Sequence, residues 1–201
     1  MKGGIDMIAS LYDKFKEWSK NGSIWIISDT HFNDIDCKLM NENWISPEEH
    51  INIINKKVYK NDTLICLGDC GEVEWFDKLK CQNKILIMGN HDQSITKYLK
   101  HFNEVYNGPL FISDKILLSH EPIFGLKFCL NIHGHCHNGK YEYVDEFGGK
   151  HLNLASDVIE WNVINLGELI KKGVLSGIDN IHRITIENAK LDPIHKKKDS
   201  D

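Results

Sequence analysis

The sequence predicts an α/β layered domain built on a mixed sheet, and three observations carry that prediction. Over the first half of the chain, short apolar runs alternate with amphipathic helical segments, the pattern of strands joined by crossover helices. From about residue 110 the chain reads mostly as strands, opening with a tight hairpin. Clusters of Asp, Asn and His stand after these runs at 29–31, 68–69, 89–92, 119–120 and 134–137. Ligands of open α/β sheets collect outside the carboxyl ends of the strands, where such clusters would lie.

Taken in order, Ile8, Leu11, Tyr12, Phe15 and Trp18 recur at helical spacing, which predicts an amphipathic helix ending near Asn21-Gly22. Residues 1–22 read as an N-terminal helical extension, 23–190 as a single domain and 191–201 as a charged tail. A strand is expected over 23–28 and a loop over 29–33. Ser46, Pro47 and Glu49 then read as an N-cap, a first-turn proline and the closing residue of a capping box. Ile51, Ile54 and Val58 continue that helix on one face. Strand 63–67 runs into Gly68-Asp69, a short helix follows over 73–79, strand 84–88 runs into Gly89-Asn90, and 94–101 is helical. Runs 110–112 and 115–118 flank Ser113-Asp114, a tight hairpin turn. Further strands are expected at 128–132, 152–155 and 181–186, and Asn165 with Glu168 caps a helix to about Lys171.

The chain has 201 residues, 41% hydrophobic and 26% charged, which suits one globular domain with a sizeable core. Its net charge is -5 and Arg183 is its only Arg. That balance argues against sequence-independent nucleic-acid binding and against a bidentate Arg clamp on phosphate elsewhere in the chain. The first 25 residues lack the apolar core and small-residue cleavage site of a signal peptide. No run approaches the ~18–20 apolar residues of a membrane span. Six Cys without a Cys-x-x-Cys pair fit reduced thiols, so a cytoplasmic location is expected. A homo-oligomer is compatible with all of these features.

The clusters carry the chemistry. Asp and His together suit Mn, Fe, Zn, Ni or Co, whereas an all-carboxylate set suits Mg or Ca. Asp29 and His31 are two residues apart, and in extended backbone such residues point the same way. His135 and His137 repeat that spacing. With Asp69, Asn90 and His120 these make seven ligand-type side chains, too many for one ion and enough for two if one carboxylate bridges. Asp69 is the natural bridge, because Gly68 lets the chain turn sharply before it. Two divalent ions ~3.5–4 Å apart would acidify a bridging water, whose hydroxide is then the nucleophile, and clamp an in-line displacement. That is the chemistry of phosphate-ester hydrolysis. His91, beside the ligand Asn90, is the candidate general acid for the leaving alkoxide. His50, His101, His151, His182 and His195 read as solvated or structural. His133 reads as structural or outer-shell, and Cys136 as pointing away from the ions.

These motifs resemble the calcineurin-like metallophosphoesterases: Asp-Thr-His at 29–31, Gly-Asp at 68–69, Gly-Asn-His-Asp at 89–92, His120, and Gly-His-Cys-His at 134–137. In detail the chain is similar to the small bacterial and phage-type phosphoesterases of that superfamily. The resemblance implies a β-sandwich of mixed sheets flanked by helices, with a di-metal site, Mn2+ foremost, on its upper edge. One ion would take Asp29, His31, Asp69 and His137, the other Asp69, Asn90, His120 and His135, and His91 would match the general acid. The expected substrate is a small phosphomonoester or phosphodiester. Many phosphatase members follow the Gly-Asp pair with a second Asp and an Arg. Here Cys70-Gly71-Glu72-Val73 stands instead, and Glu72 is expected to orient His91. A nuclease with the same site, and a non-catalytic protein binding a partner through helix 8–20, are the alternative readings. Phe32, Trp44 and Trp161 would either stack on a substrate ring or belong to the core.

Overall fold

The structure, a computed structural model, describes residues 22–179 together with Phe15, Glu17, Trp18 and Lys20. The expected strand 181–186 and the tail 191–201 lie outside the described residues, as does most of the N-terminal helix. Of that helix, Phe15, Glu17 and Trp18 are helical, and Trp18 is buried with its Nε1 donating to Glu104 Oε1 at 3.2 Å.

The strands, in chain order, are β1 (Ile24–Ile27), β2 (Thr63–Cys66), β3 (Asn83–Ile87), β4 (Glu104–Tyr106), β5 (Leu110–Ser113), β6 (Ile116–Leu118), β7 (Leu130–His133), β8 (Glu142–Val144), β9 (Lys150–Asn153) and β10 (Ile164–Asn165). They form two mixed sheets where the residue pattern alone suggested one. The first has the order β10-β1-β2-β3-β4 and the second β5-β6-β7-β9-β8. In the first sheet β1 to β4 are parallel and β10 joins β1 antiparallel. In the second, β6, β7 and β9 run parallel and β5 and β8 close the edges antiparallel. The break falls at Gly108-Pro109, between β4 and β5, where Pro109 has no amide to donate to a continuing ladder.

The helices α1 (Cys37–Met40), α2 (Pro47–Asn55), α3 (Ile95–Tyr98) and α4 (Leu166–Lys171), with a 3-10 helix over Val73–Lys78, flank the sheets. Local chemistry explains their ends. The capping box of Ser46 and Glu49 is formed in both directions, and the Asn165 side chain accepts the Glu168 amide at 3.0 Å. Other expectations shift. The helix expected at 94–101 shrinks to α3, that at 73–79 is 3-10, and α1, β4, β8 and β10 carry too few apolar residues to stand out. The hairpin turn is Asp114-Lys115, one residue later than expected. A bulge between Phe111 and Ser113 takes up the extra residue, and Ser113 Oγ accepts the Lys115 amide at 3.2 Å.

β2 is wholly buried, as a strand with both faces covered must be. One core unites the sheets, with Ile27, Leu64 and Ile85 from the first and Leu118, Ile132 and Leu152 from the second. The sheets also meet just past the carboxyl ends of the inner strands β1 and β9. Ser28 bridges Ala155 in parallel, Ser156 Oγ donates to Ser28 O at 2.6 Å, and Ser28 Oγ donates to Leu67 O at 3.1 Å. The carboxyl ends of β1, β2 and β9 are thereby drawn together.

Candidate metal centre

Every cluster singled out in the sequence follows the carboxyl end of a strand: β1, β2, β3, β6 and β7. The reason its side chains converge differs from the one expected. Asp29, His31, Asp69 and His135 have φ of 55, 40, 53 and 66°, so they lie in the left-handed region and not in extended backbone. Asp and His enter that region more readily than most residues. Each such turn bends the chain back over the strand ends. The loops then interlock, Asp29 donating its amide to Gly68 O and His31 to Asp69 O, both at 3.0 Å. Gly68 has φ +100°, a conformation open to glycine. A Cβ at Gly134 would collide with Ser28 Oγ and Asp29 Oδ2.

Two groups of ligand atoms result. Asp29, His31 and His137 form one, and Asp69, His120 and His135 the other, each with its donor atoms within 4.8 Å of one another. In the first, Asp29 Oδ1 lies 3.5 Å from His137 Nε2 and 3.9 Å from His31 Nε2. In the second, Asn90 Oδ1 lies 2.8 Å from His120 Nε2 and 3.0 Å from His135 Nδ1. Asp69 Oδ2 stands between the groups, 3.7 Å from His31 Nε2 and 3.2 Å from His120 Nε2.

The fit to divalent cations rests on the donor atoms. Asp29 Oδ1 and His31 Nε2 are buried and have no hydrogen-bond partner in the protein. Buried polar atoms are rarely left so, and an ion is one thing that completes them. The far sides of three rings are held. His137 Nδ1 donates to Asp157 Oδ1 at 2.9 Å, His31 Nδ1 to Asp34 Oδ2 at 3.2 Å, and His120 Nδ1 lies 2.8 Å from Leu67 O. Such partners fix the tautomer and aim Nε2 of each ring inward. A third grouping, His31 with Asp34 and Cys37, fits this outer role better than a further ion. Its His31 nitrogen is the Nδ1 facing Asp34, and burial, with the Asp34 and Asp36 charges, pushes the Cys37 thiol up to about 12.

Electrostatics follow from burial. Burial raises the Asp29 carboxyl against the lowering pull of His120 and His137. For Asp69, burial is outweighed by the His120 hydrogen bond and charge and by the His91 amide, and its pKa is lowered. Burial opposes charge on His120, but Asp69, Asp29 and the Leu67 carbonyl together lift it to about 9. Asp69 and His120 thus favour their charged forms beside each other, while burial disfavours charge on Asp29.

Asp34 and Asp157 went unrecognised in the sequence. Asp92 stood in the 89–92 cluster without a role, and its carboxylate accepts three amides, from Asp69 at 2.9, Cys70 at 3.1 and Gly89 at 2.8 Å. Gly-Asn-His-Asp could have flagged Asp92, since Asp is the residue that folds back on nearby backbone amides. Nothing local marks Asp157, which is 20 residues from His137.

His91 is exposed. Its amide donates to Asp69 Oδ1 at 2.9 Å, and its ring stands edge-on to His31 with centroids 5.7 Å apart. Glu72 does not reach it. The backbone pairing of Phe32 with Gly71 lays Glu72 beside Asn33, whose Nδ2 donates to Glu72 Oε2 in solvent. Phe32 and Trp44 are buried and belong to the walls. Trp44 packs on both His31 and His137, with centroids 6.0 and 5.8 Å apart. A cleft of about 510 Å³ opens beside His31, between residues 30–38 and 44–50. His50, His133 and His151 are buried and structural, and His133 Nε2 accepts Tyr143 OH at 3.0 Å.

Comparison with known proteins adds a family and a fold. A family profile described as calcineurin-like phosphoesterase matches residues 22–192. No curated protein matches the chain significantly. Among solved structures, the chain is similar to a protein of unknown function from Aquifex aeolicus, with a TM-score of 0.60, 24% identity, and coverage of 74% of this chain and 98% of the other. That likeness speaks for the fold. A single mutant of Vps29 from Entamoeba histolytica also matches, at a TM-score of 0.38 and 16% identity, over 65% of this chain and 72% of the other.

Proposed function

The chain belongs to the calcineurin-like phosphoesterase family, and from that premise we propose that it is a two-metal hydrolase of small phosphomonoesters or phosphodiesters. The observation that carries this reading is Asp69 Oδ2, standing between His31 Nε2 at 3.7 Å and His120 Nε2 at 3.2 Å. One carboxylate oxygen is thus shared by two sets of donors. Asp29, His31, Asp69 and His137 would hold one divalent ion, and Asp69, Asn90, His120 and His135 the other. The donor set suits Mn2+ foremost, with Fe, Ni, Zn and Co as the alternatives. Bound ions supply acidified water and neutralise the phosphoryl oxygens.

The chain's own residues do the rest. Among the described residues, His91 is the one ring at the centre that is exposed and assigned to neither ion. It is therefore free to hand a proton to the departing alkoxide. The hydrogen bond that its backbone amide donates to Asp69 Oδ1 ties the His91 backbone to the shared carboxylate. Trp44, buried against His31 and His137, keeps water from one flank. The cleft beside His31 offers room for a leaving group.

The test is hydrolysis of p-nitrophenyl phosphate and bis(p-nitrophenyl) phosphate by metal-free protein reconstituted with Mn2+, Ni2+, Zn2+ or Mg2+. Turnover of either ester, abolished in Asp69→Asn, is the expected result. No turnover of either ester, or of a wider panel of mono- and diesters, with any of the four ions would overturn the reading.

A further inference from the structure

The shared carboxylate of Asp69 stands between donors that line two different clefts. The first cleft, about 510 Å³, is the one beside His31. The second, about 300 Å³, opens beside Asn90 and His120, where Met88, Gly108, Pro109 and Ile123 complete its lining. One wall of the second cleft is the Gly108-Pro109 crossing from β4 to β5, and another is the loop that follows β6. That loop is pinned from below. Asn131, 1% exposed, accepts the Ile123 amide on Oδ1 at 2.7 Å and donates from Nδ2 to Ser119 Oγ at 2.8 Å. Ser119 Oγ in turn donates to Glu121 O at 2.7 Å. The wall is therefore preformed, as ligand pockets usually are.

Charge narrows what the clefts accept. Lys38 is the only Lys or Arg among the described residues that line either of them, and it lies in the first, together with Asp34 and Glu49. In the second the charged side chain is Glu121. A phosphomonoester is largely a dianion at neutral pH, its second pKa being about 6. Its extra charge finds no ammonium or guanidinium in the second cleft. A phosphodiester carries a single charge and brings a second organic group, for which the Met88, Pro109 and Ile123 surface is suited.

Resting on the two-metal reading above, we propose that the second cleft is the subsite for the retained substituent of a phosphodiester, and that this substituent is uncharged. The chain is then a phosphodiesterase of small esters. The leaving group lies in the cleft beside His31, and the retained group lies against Met88, Pro109 and Ile123. His91 sets this direction, because its ring packs on His31, which lines the first cleft. The reaction balances with water alone. The water oxygen bonds to phosphorus and the P–O bond to the leaving group breaks. His91 gives its proton to the departing oxygen, and a proton from the water replaces it. An alcohol departs, and a phosphomonoester stays with its organic group in the second cleft. A nucleic-acid strand would instead bring a further phosphate toward Glu121, where like charges repel.

Three esters with one leaving group test this on the full chain reconstituted with Mn2+: p-nitrophenyl phosphate, methyl p-nitrophenyl phosphate and bis(p-nitrophenyl) phosphate. They differ only in what the second cleft would receive. The bis ester should exceed the methyl ester in kcat/KM by about 10-fold or more, the scale of discrimination that pocket contacts supply. A Cβ at Gly108 would meet no atom within 4 Å, so Gly108→Trp places its ring in open space. It should lower the ratio of bis to methyl ester about 10-fold. Asn107→Trp, from an exposed position on the same cleft, should act in the same direction and covers the case in which Gly108→Trp does not fold. A higher kcat/KM for p-nitrophenyl phosphate than for both diesters would overturn the inference. So would a bis-to-methyl ratio that neither variant lowers, or a higher kcat/KM for a single-stranded oligonucleotide than for the bis ester. Each of these leaves the hydrolase reading standing, whereas no turnover of any ester would overturn both.

Discussion

At the scale of single residues, the ligand identities were legible and their geometry was not. Asp29, His31, Asp69, Asn90, His120, His135 and His137 can be picked from the sequence because each follows an apolar run and each is a metal-ligand type. Two-residue strand spacing suggested that Asp29 pairs with His31 and His135 with His137. Asp29 and His31 do share a donor group, through left-handed turns, but His135 and His137 fall in different groups, because His135 too takes a left-handed turn where extended backbone was expected. Glu72 shows the opposite failure: its position in the sequence suggested a partner for His91, and its backbone pairing gives it Asn33 instead. His91 carries the residue-scale prediction. His91→Ala should lower kcat for the p-nitrophenyl esters about 10²–10⁴-fold, the usual value of a general acid, while calorimetry still counts two Mn2+ ions. The loss should be smaller for esters whose leaving group needs no proton. Unchanged kcat across leaving groups would remove His91 from that role.

At the scale of elements, the loops after β2 and β3 behave as one unit because Asp92 joins them. Its carboxylate holds the amides of Asp69, Cys70 and Gly89, so the bridge candidate and the Asn90 turn share a clamp. Asp92→Ala leaves three amides without their acceptor. Hydrogen bonds to a charged group are worth ~1.5–3 kcal/mol each, partly recovered by water, so a loss of about 3 kcal/mol in unfolding free energy is expected by urea titration. Mn2+ affinity should fall with it, and unchanged stability would show that the clamp is dispensable. Strands β1, β2 and β3 and the helix opened by Ser46 were legible because period and caps are local signals. β4, β8 and β10 were not, because strands of two or three residues borrow their order from a neighbouring ladder.

At the scale of the whole molecule, burial decides the response to pH. His50 is buried against Phe32, and burial holds its pKa down to about 3 in spite of a hydrogen bond to the Trp161 backbone. In the unfolded chain it would titrate near the ordinary ~6.5. Between these values the unfolded state binds the extra proton, so stability is full above ~6.5 and falls as pH drops toward the folded value. His133, held down to about 4 chiefly by burial, acts in the same direction. Melting temperature should therefore decline between pH 7 and pH 5, and His50→Gln, which cannot titrate, should make that decline shallower. An equal slope in the variant would rule His50 out as a contributor.

The sequence by itself determined the layered α/β class, most strand positions, the donor residue types and their order along the chain, because these depend on local period, turn chemistry and ligand chemistry. Tertiary structure alone decided the split into two sheets, the placing of Asp69 between two donor sets, and the carboxylate backing of His137 by Asp157. Those depend on contacts between residues 20 to more than 100 positions apart, where no local pattern records which loop will meet which.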